Sequence, residues 1–363
     1  MTRSSWSLVW IRRAVSVTGF IGVVAIMLLH SEKPVVATAN ATLADEGPMP
    51  ELGGAVAWLN SAPLNRESLR GKVVLVNFWT YTCINSLREL PYIKSWASKY
   101  KDAGLIVIGV HAPEFGFEKV RWRVARPVRE LNITFPVPID NDHRIWQAFR
   151  NKTWPASYFI DGKGRIRHHH FGESEYAKSE HVIQELLKEN GATGLNASTV
   201  RPSADGVEAP PSVDVRSPQT YLGYARARHF ASPERLAQDS TKSYSLPVKL
   251  SLNQWGFGGA WKVGAESAVL QEAPGKIAFR FHSRDLHMVL APPKGVYDVR
   301  FNVRLDGAPP GDDHGLDSNA AGVGVIGDPR LYQLIRQKGP IRDRTFEIEF
   351  IDSGIQGFAF TFG

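Results

Sequence analysis

Cys83 is the only cysteine in the 363-residue chain, and the residues around it define what it could do. An apolar run, Leu75-Val-Asn-Phe-Trp79, leads through Thr80-Tyr-Thr82 to the sulfur, and an amphipathic pattern begins directly behind it. That layout seats Cys83 between a buried strand and the first turn of a helix. Unpaired backbone N–H groups and the positive end of the helix dipole collect there, and both favour thiolate over thiol. An activated thiolate attacks disulfides or peroxides, whereas an inert one is only a small buried hydrophobe. Ser86, three residues on, carries a hydroxyl and no second sulfur. An internal dithiol couple is therefore chemically excluded. A mixed disulfide on Cys83 must be released by an external thiol, by the substrate's own second cysteine, or not at all. Read blandly, Ser86 only helps to satisfy first-turn backbone donors.

Other candidate constellations are weak. His168-His169-His170 invites a metal, but strand alternation sends His169 to the opposite face from its neighbours, and no second cluster accompanies it. Gly322-Val-Gly-Val-Ile-Gly327 matches a dinucleotide fingerprint by letter but runs into Asp328-Pro329 rather than a helix. Gly311-Asp-Asp-His314-Gly-Leu-Asp317 reads as a solvated acidic turn. No nucleophile-elbow serine is present. Neither a metal nor a cofactor is expected.

The elements that must position Cys83 follow from periodicity. Val73 to Phe78 reads as a central strand; Leu87, Leu90, Ile93, Ala97 and Tyr100 recur at helical spacing, with Pro91 inside the pattern as an expected kink. Leu105 to Val110 is a second buried strand. Glu114 to Leu131 reads as one helix, Phe135 to Ile139 as a strand, and His143 to Phe149 as a short helix. Ala156 to Ile160 and Arg165 to Phe171 form a hairpin through Asp161-Gly-Lys-Gly164, and a last helix runs from about Ser174 to Asn190. The pattern predicts an α/β domain over residues 50–190, with a mixed sheet and helices on both faces. Residues 191–218, rich in Gly, Ala, Ser and Pro, read as a linker. Residues 219–363 alternate with period two, as in Tyr297 to Leu305, Phe346 to Phe350 and Phe358 to Phe362, and Ile277 to Leu290 is a further alternating run. They predict an all-β jelly-roll-like sandwich.

Phe78-Trp79 before the cysteine, Glu89-x-Pro91 behind it and the later Trp154-Pro155 resemble the thioredoxin superfamily, in its TlpA-like envelope branch and the periplasmic part of DipZ proteins. The C-terminal third resembles the β-rich module that follows the thioredoxin-like domain there. In such proteins the motif is Cys-x-x-Cys, with Ser86 here in the second position. The resemblance implies a catalytic Cys83 with Ser86 as its polar neighbour. It also implies a cis Trp154–Pro155 bond beside the sulfur and a substrate groove shaped by Trp79, Trp154 and Pro155. Asn77 stands where cytoplasmic thioredoxins keep a buried Asp. Thr80 stands three residues before Cys83 as in the peroxiredoxin site, although Val76 occupies the place of the proline expected there. The C-terminal module is similar to carbohydrate-binding sandwiches, so Trp255 and Trp261 are expected either to stack on a glycan or to lie in the core.

Arg3, Arg12 and Arg13 precede an apolar run from Ala14 to Leu29. Residues 1–30 therefore read as a signal peptide or membrane anchor, and 31–49 as a tether. This orientation leaves the rest in the cell envelope, on the periplasmic side of the cytoplasmic membrane. A formal charge of +7 spread along the chain, without a basic stripe or reader motif, argues against nucleic acid. The leading expectation is a monothiol disulfide oxidoreductase or isomerase acting on exported cysteine-containing proteins or low-molecular-weight thiols. The alternatives are a non-catalytic peptide- or glycan-binding protein on the same scaffold and, third, a thiol peroxidase.

Overall fold

A computed structural model describes Leu43–Gly363; the expected N-terminal signal or anchor lies outside the described residues. Central in the first half is β3 (Val73–Trp79), buried at every position. Its odd residues Val73, Leu75 and Trp79 enter one core and its even residues Val74, Val76 and Phe78 another. This two-sided burial explains why the strand reads as a continuous apolar run. The surrounding elements, in chain order, are β1 (Gly47–Pro48), β2 (Ala57–Leu59), α1 (Ile84–Lys99), β4 (Leu105–His111), α2 (Arg121–Glu130), β5 (Val137–Ile139), α3 (Arg144–Ala148), β6 (Ala156–Ile160), β7 (Arg165–Phe171) and α4 (Tyr176–Glu189). The sheet order is β1-β7-β6-β3-β4-β5-β2. β3 runs parallel to β4 and antiparallel to β6. Leu90, Ile93 and Trp96 of α1 share one core with Val182, Ile183, Leu186 and Leu187 of α4; Ile145 of α3 sits in the other. Helices therefore cover both faces of a mixed sheet, as the pattern predicts.

The expected single helix from Glu114 to Leu131 divides. Gly116–Lys119 is one 3₁₀ turn, Val120 is extended, and α2 begins at Arg121. The cause is Glu118, whose carboxyl group turns into the interior, accepting from the Thr80 hydroxyl at 2.8 Å and the Glu114 N–H at 2.6 Å. It also meets the Thr82 hydroxyl. A buried carboxyl fixed this way holds the chain in a turn and postpones the helix.

The second half holds β8 (Thr220–Tyr221), β9 (Thr241–Tyr244), β10 (Trp255–Val263), β11 (Ala268–Phe281), β12 (Asp285–Ala291), β13 (Val299–Leu305), β14 (Val323–Ile326), β15 (Arg330–Arg336), β16 (Arg344–Phe350) and β17 (Gln356–Phe362). The expected run from Ile277 to Leu290 is broken at His282-Ser-Arg284, where β11 ends and β12 begins. β11 pairs with β16 through Gly275–Phe281 and with β17 through Ala268 and Val269. This partner switch joins the β14-β13-β16 layer to the β17-β12-β15 layer. Between them Phe279 and Phe360 meet at 4.9 Å, and Phe346 and Phe360, on unpaired strands, at 6.0 Å. The result is an all-β sandwich of ten strands. Trp255 and Trp261 lie inside it with no exposed surface, their N–H groups bonded to Arg228 and Gly258 carbonyls. Of the two roles expected for them, the core role holds and stacking on a sugar does not. The acidic turn is only partly solvated: Asp312 and Leu316 are exposed, whereas Asp313 and Asp317 are tied into the fold. Asp313 accepts from the Lys338 N–H and Arg344, and Asp317 from Arg330 and the Gln333 N–H.

The two halves dock through a fourth apolar cluster. Ile84 and Leu87 of α1 and Phe115 pack on Val289 and Ala291 of β12, Leu331 of β15, and Phe358 and Ala359 of β17. β12 is thus buried on both faces. Among the described residues no helix is long and apolar enough to cross a membrane.

Candidate active site

Cys83 is the N-cap of α1. Its backbone is extended, and its carbonyl accepts the first helical bond from Leu87 N–H at 3.1 Å. The Asn85 and Ser86 amides favour its thiolate, as an N-cap position requires. Ser86 is buried, and its Oγ has no hydrogen-bond partner. Across the sulfur, the Trp154–Pro155 peptide bond is cis, and Cys83 Sγ donates to the Trp154 carbonyl at 3.8 Å.

Cys83 is only 8% exposed, however. Desolvation, reinforced by the charge of Glu114, pushes its thiol up to about 12 against the pull of the helix amides. The expectation of an activated thiolate is therefore corrected for this closed arrangement: at neutral pH the sulfur is a thiol, consistent with its donating to Trp154. The cover comes from the second half of the chain. Pro211, Ser212, Ser217, Gln219, Thr361 and Phe362 line the space over Cys83.

Trp79 does not face a groove. It is 2% exposed, and its indole N–H bonds to the Gly109 carbonyl at 3.2 Å. Trp154 is half-buried against Trp146, with ring centroids 4.3 Å apart, and its indole N–H donates to the Ala112 carbonyl at 2.9 Å. Pro155 is buried, and its carbonyl accepts from the Gly172 N–H at 2.9 Å. The structure therefore brings Cys83, Ser86, Trp154 and Pro155 together and sets Trp79 in the core as their support.

Several buried ionisable groups stand outside the expected site residues, although Glu89 belongs to the Glu89-x-Pro91 motif. Glu89, on α1 beneath the site, accepts from Asn77 Nδ2 at 2.8 Å and from the Ser157 hydroxyl at 3.3 Å. Burial pushes its carboxyl up to about 8 despite those bonds, and does the same to Glu118. His111 stacks on Tyr81, and burial holds its imidazole down at about 3, so it is neutral. Glu114 is gripped by the second half of the chain: Gln219 Nε2 and Arg226 Nη1 each approach at 3.3 Å, and the Tyr221 hydroxyl donates at 2.5 Å. A charged pair inside the apolar pattern, Arg88-Glu89 between Leu87 and Leu90, was the available signal for α1. Nothing local marks the Glu114 clamp, because its partners lie more than a hundred residues away.

His169 meets Glu46 at 2.6 Å and stacks on Tyr158, whereas His168 packs on Phe159; these contacts lie on opposite faces of the sheet. Among the described residues no group of three His, Cys, Asp or Glu side chains could hold a metal ion.

Comparison with known proteins fits this geometry. The AhpC/TSA family model matches residues 56–169, and the model of a thioredoxin-like C-terminal domain matches residues 217–363. Thiol-disulfide oxidoreductase YkuV of Bacillus subtilis (strain 168) is 32% identical over 142 residues, 39% of this chain and 95% of that protein. The chain belongs to the thioredoxin-like thiol-disulfide oxidoreductase family. Protein DipZ of Mycobacterium tuberculosis (strain CDC 1551 / Oshkosh) is 32% identical to this chain over 330 residues, 89% of the chain, so both halves are shared. The chain spans 44% of the length of DipZ. The solution structure of a thioredoxin-like protein in its oxidised form matches at 35% identity with a TM-score of 0.37, covering 39% of this chain and 96% of that one.

Proposed function

We propose that this oxidoreductase works with one sulfur. The Cys83 thiolate attacks one sulfur of a disulfide R–S–S–R, the S–S bond breaks, and RS⁻ leaves while Cys83–S–S–R forms. An external thiol then attacks the adduct, restores Cys83 and carries R away as a new disulfide. Two electrons move between partners and none remain on the protein. The observation that carries this reading is the seat of Cys83: the N-cap of α1, with the Asn85 and Ser86 amides at the sulfur and a hydroxyl in place of a resolving thiol. Ser86 keeps the shape of the site, but a serine hydroxyl is essentially un-ionised at neutral pH and cannot resolve the adduct. Rehydration of the sulfur when the cover lifts reverses the desolvation that holds it as a thiol. The partners are exported cysteine-containing proteins or low-molecular-weight thiols, and the chain works in the cell envelope, tethered or exported through its N-terminal segment.

Burial of Cys83 favours a second reading, a non-catalytic peptide- or glycan-binding protein that has kept the scaffold. Peroxidase chemistry has less support, because the Thr80 hydroxyl is committed to Glu118. Acid-quenching cells, blocking free thiols and comparing wild type with Cys83→Ser on non-reducing gels separates the readings. Reductant-sensitive adducts that depend on Cys83 support exchange. Identical patterns under disulfide stress favour the binding protein.

A further inference from the structure

The cavity over Cys83 has a volume of about 320 Å³, the low end of the roughly 300 to 1,000 Å³ typical of small-molecule pockets. Its walls come from both halves of the chain, and Cys83, which lines it, is 8% exposed. While the cover is in place, a protein-sized contact face of about 800 Å² does not reach Cys83. A small disulfide needs only the cavity.

The polar groups in the cavity are arranged for a ligand carrying both charges. Arg88 and Glu173 form an ion pair at 3.2 Å, with side chains 3% and 17% exposed. Arg88 Nη2 also donates to the Phe362 carbonyl at 3.3 Å, so the guanidinium, with five N–H donors in all, has groups left to offer. Glu173 Oε2 is buried and has no partner. Thr361 lines the same cavity, is 3% exposed, and its Oγ1 has no partner either. His287, opposite Thr361 across the β12–β17 ladder, is fully buried with both ring nitrogens unpartnered. Buried polar groups are normally satisfied, so the unpartnered Glu173 and Thr361 oxygens in the wall of the Cys83 cavity mark a place where a ligand supplies the missing bonds; His287 lies behind Thr361, outside the cavity lining. A carboxylate oxygen free to accept beside a guanidinium free to donate is the complement of an α-ammonium next to an α-carboxylate.

We infer that the disulfide exchanged at Cys83 is a small zwitterionic one of the amino-acid class, held by Glu173, Arg88 and Thr361. This rests on the single-sulfur reading above. One amino-acid thiolate leaves as the Cys83 mixed disulfide forms, and a second thiol of the same class releases the other half, taking it away as a disulfide.

The test is the rate of adduct formation on the full-length protein, followed by intact mass after acid quenching, with four probes. Cystine carries both charges, cystamine only the cations, dithiodipropionate only the anions, and hydroxyethyl disulfide neither. Cystine is expected to react about tenfold faster than the neutral probe, the scale of one charge-assisted contact, and faster than either singly charged probe. Glu173→Gln and, separately, Thr361→Val are expected to bring the cystine-to-neutral ratio toward one. Equal rates for all four probes, or a faster reaction with insulin than with cystine, overturn the inference and leave single-sulfur exchange standing. A wild-type ratio that neither variant moves also overturns it. Failure of every probe to modify Cys83 removes the exchange reading and the inference together.

Discussion

At the scale of single residues, the behaviour of Cys83 is a contest between helix amides that stabilise its thiolate and a cover that removes water from it. Removing the nearby negative charge shifts that contest in a known direction. In Glu114→Gln the pH midpoint of Cys83 alkylation by iodoacetamide falls below that of wild type, because Glu114 raises the thiol through its charge. An unchanged midpoint means that desolvation acts alone. Ser86→Cys is the complementary probe. The Ser86 Oγ has no partner to lose, so a sulfur fits without breaking a bond. Mild oxidation of this variant leaves no free thiol, and insulin reduction rises above wild type; two free thiols after oxidation contradict the placement. The position of Cys83 on the chain was legible from strand, turn and helix pattern. Its titration was not, because the groups that desolvate it belong to residues 211–219 and 361–362, which no local pattern connects to the motif.

At the scale of elements, β3, α1 and the turn between them carry buried polar groups where their apolar patterns predict only packing. Asn77 points from β3 toward α1 and meets Glu89; Thr80 and Thr82 receive Glu118 from the 3₁₀ turn. Both carboxyls are raised to about 8, so they remain protonated in the folded state at a pH where the unfolded chain has ionised them. The unfolded state then binds fewer protons. Stability is full below the ordinary carboxyl range and falls as pH rises toward about 8. Thermal melts across that range should show Tm declining with pH, and Glu89→Gln should flatten the decline. A flat wild-type profile contradicts the protonated state of these groups. The strands, α1 and α4 follow the sequence pattern closely, since two-sided burial writes itself as unbroken apolar runs. The region from Glu114 to Leu131 did not, because one inward carboxyl outweighed an amphipathic pattern that reads as a single helix.

At the scale of the whole molecule, the sandwich is both a fold and a roof. Its core was legible from period-two alternation, and so was the chance nature of the Gly322–Gly327 match, which forms β14. The docking was not, because β12 and β17 bury both faces and their second face looks the same as a core face in sequence. Phe358 is the keystone, with ring centroids 5.2 Å from Phe115 and 4.9 Å from Phe117. Phe358→Ala is expected to cost about 3 to 5 kcal/mol and to speed Cys83 alkylation at neutral pH by loosening the cover. A variant that loses stability while its alkylation rate stays at the wild-type value shows that the roof does not limit access.

Single-sulfur exchange is tested most directly by the stoichiometry of one reaction. The purified full-length protein is mixed with excess small disulfide, quenched in acid, and read by intact mass together with the thiol released. One adduct per chain, one thiol released per adduct, complete reversal by added thiol and no reaction in Cys83→Ser are the predicted results. A Cys83 that stays unmodified after long exposure, while alkylation in denaturant confirms a free thiol, contradicts exchange chemistry at this site.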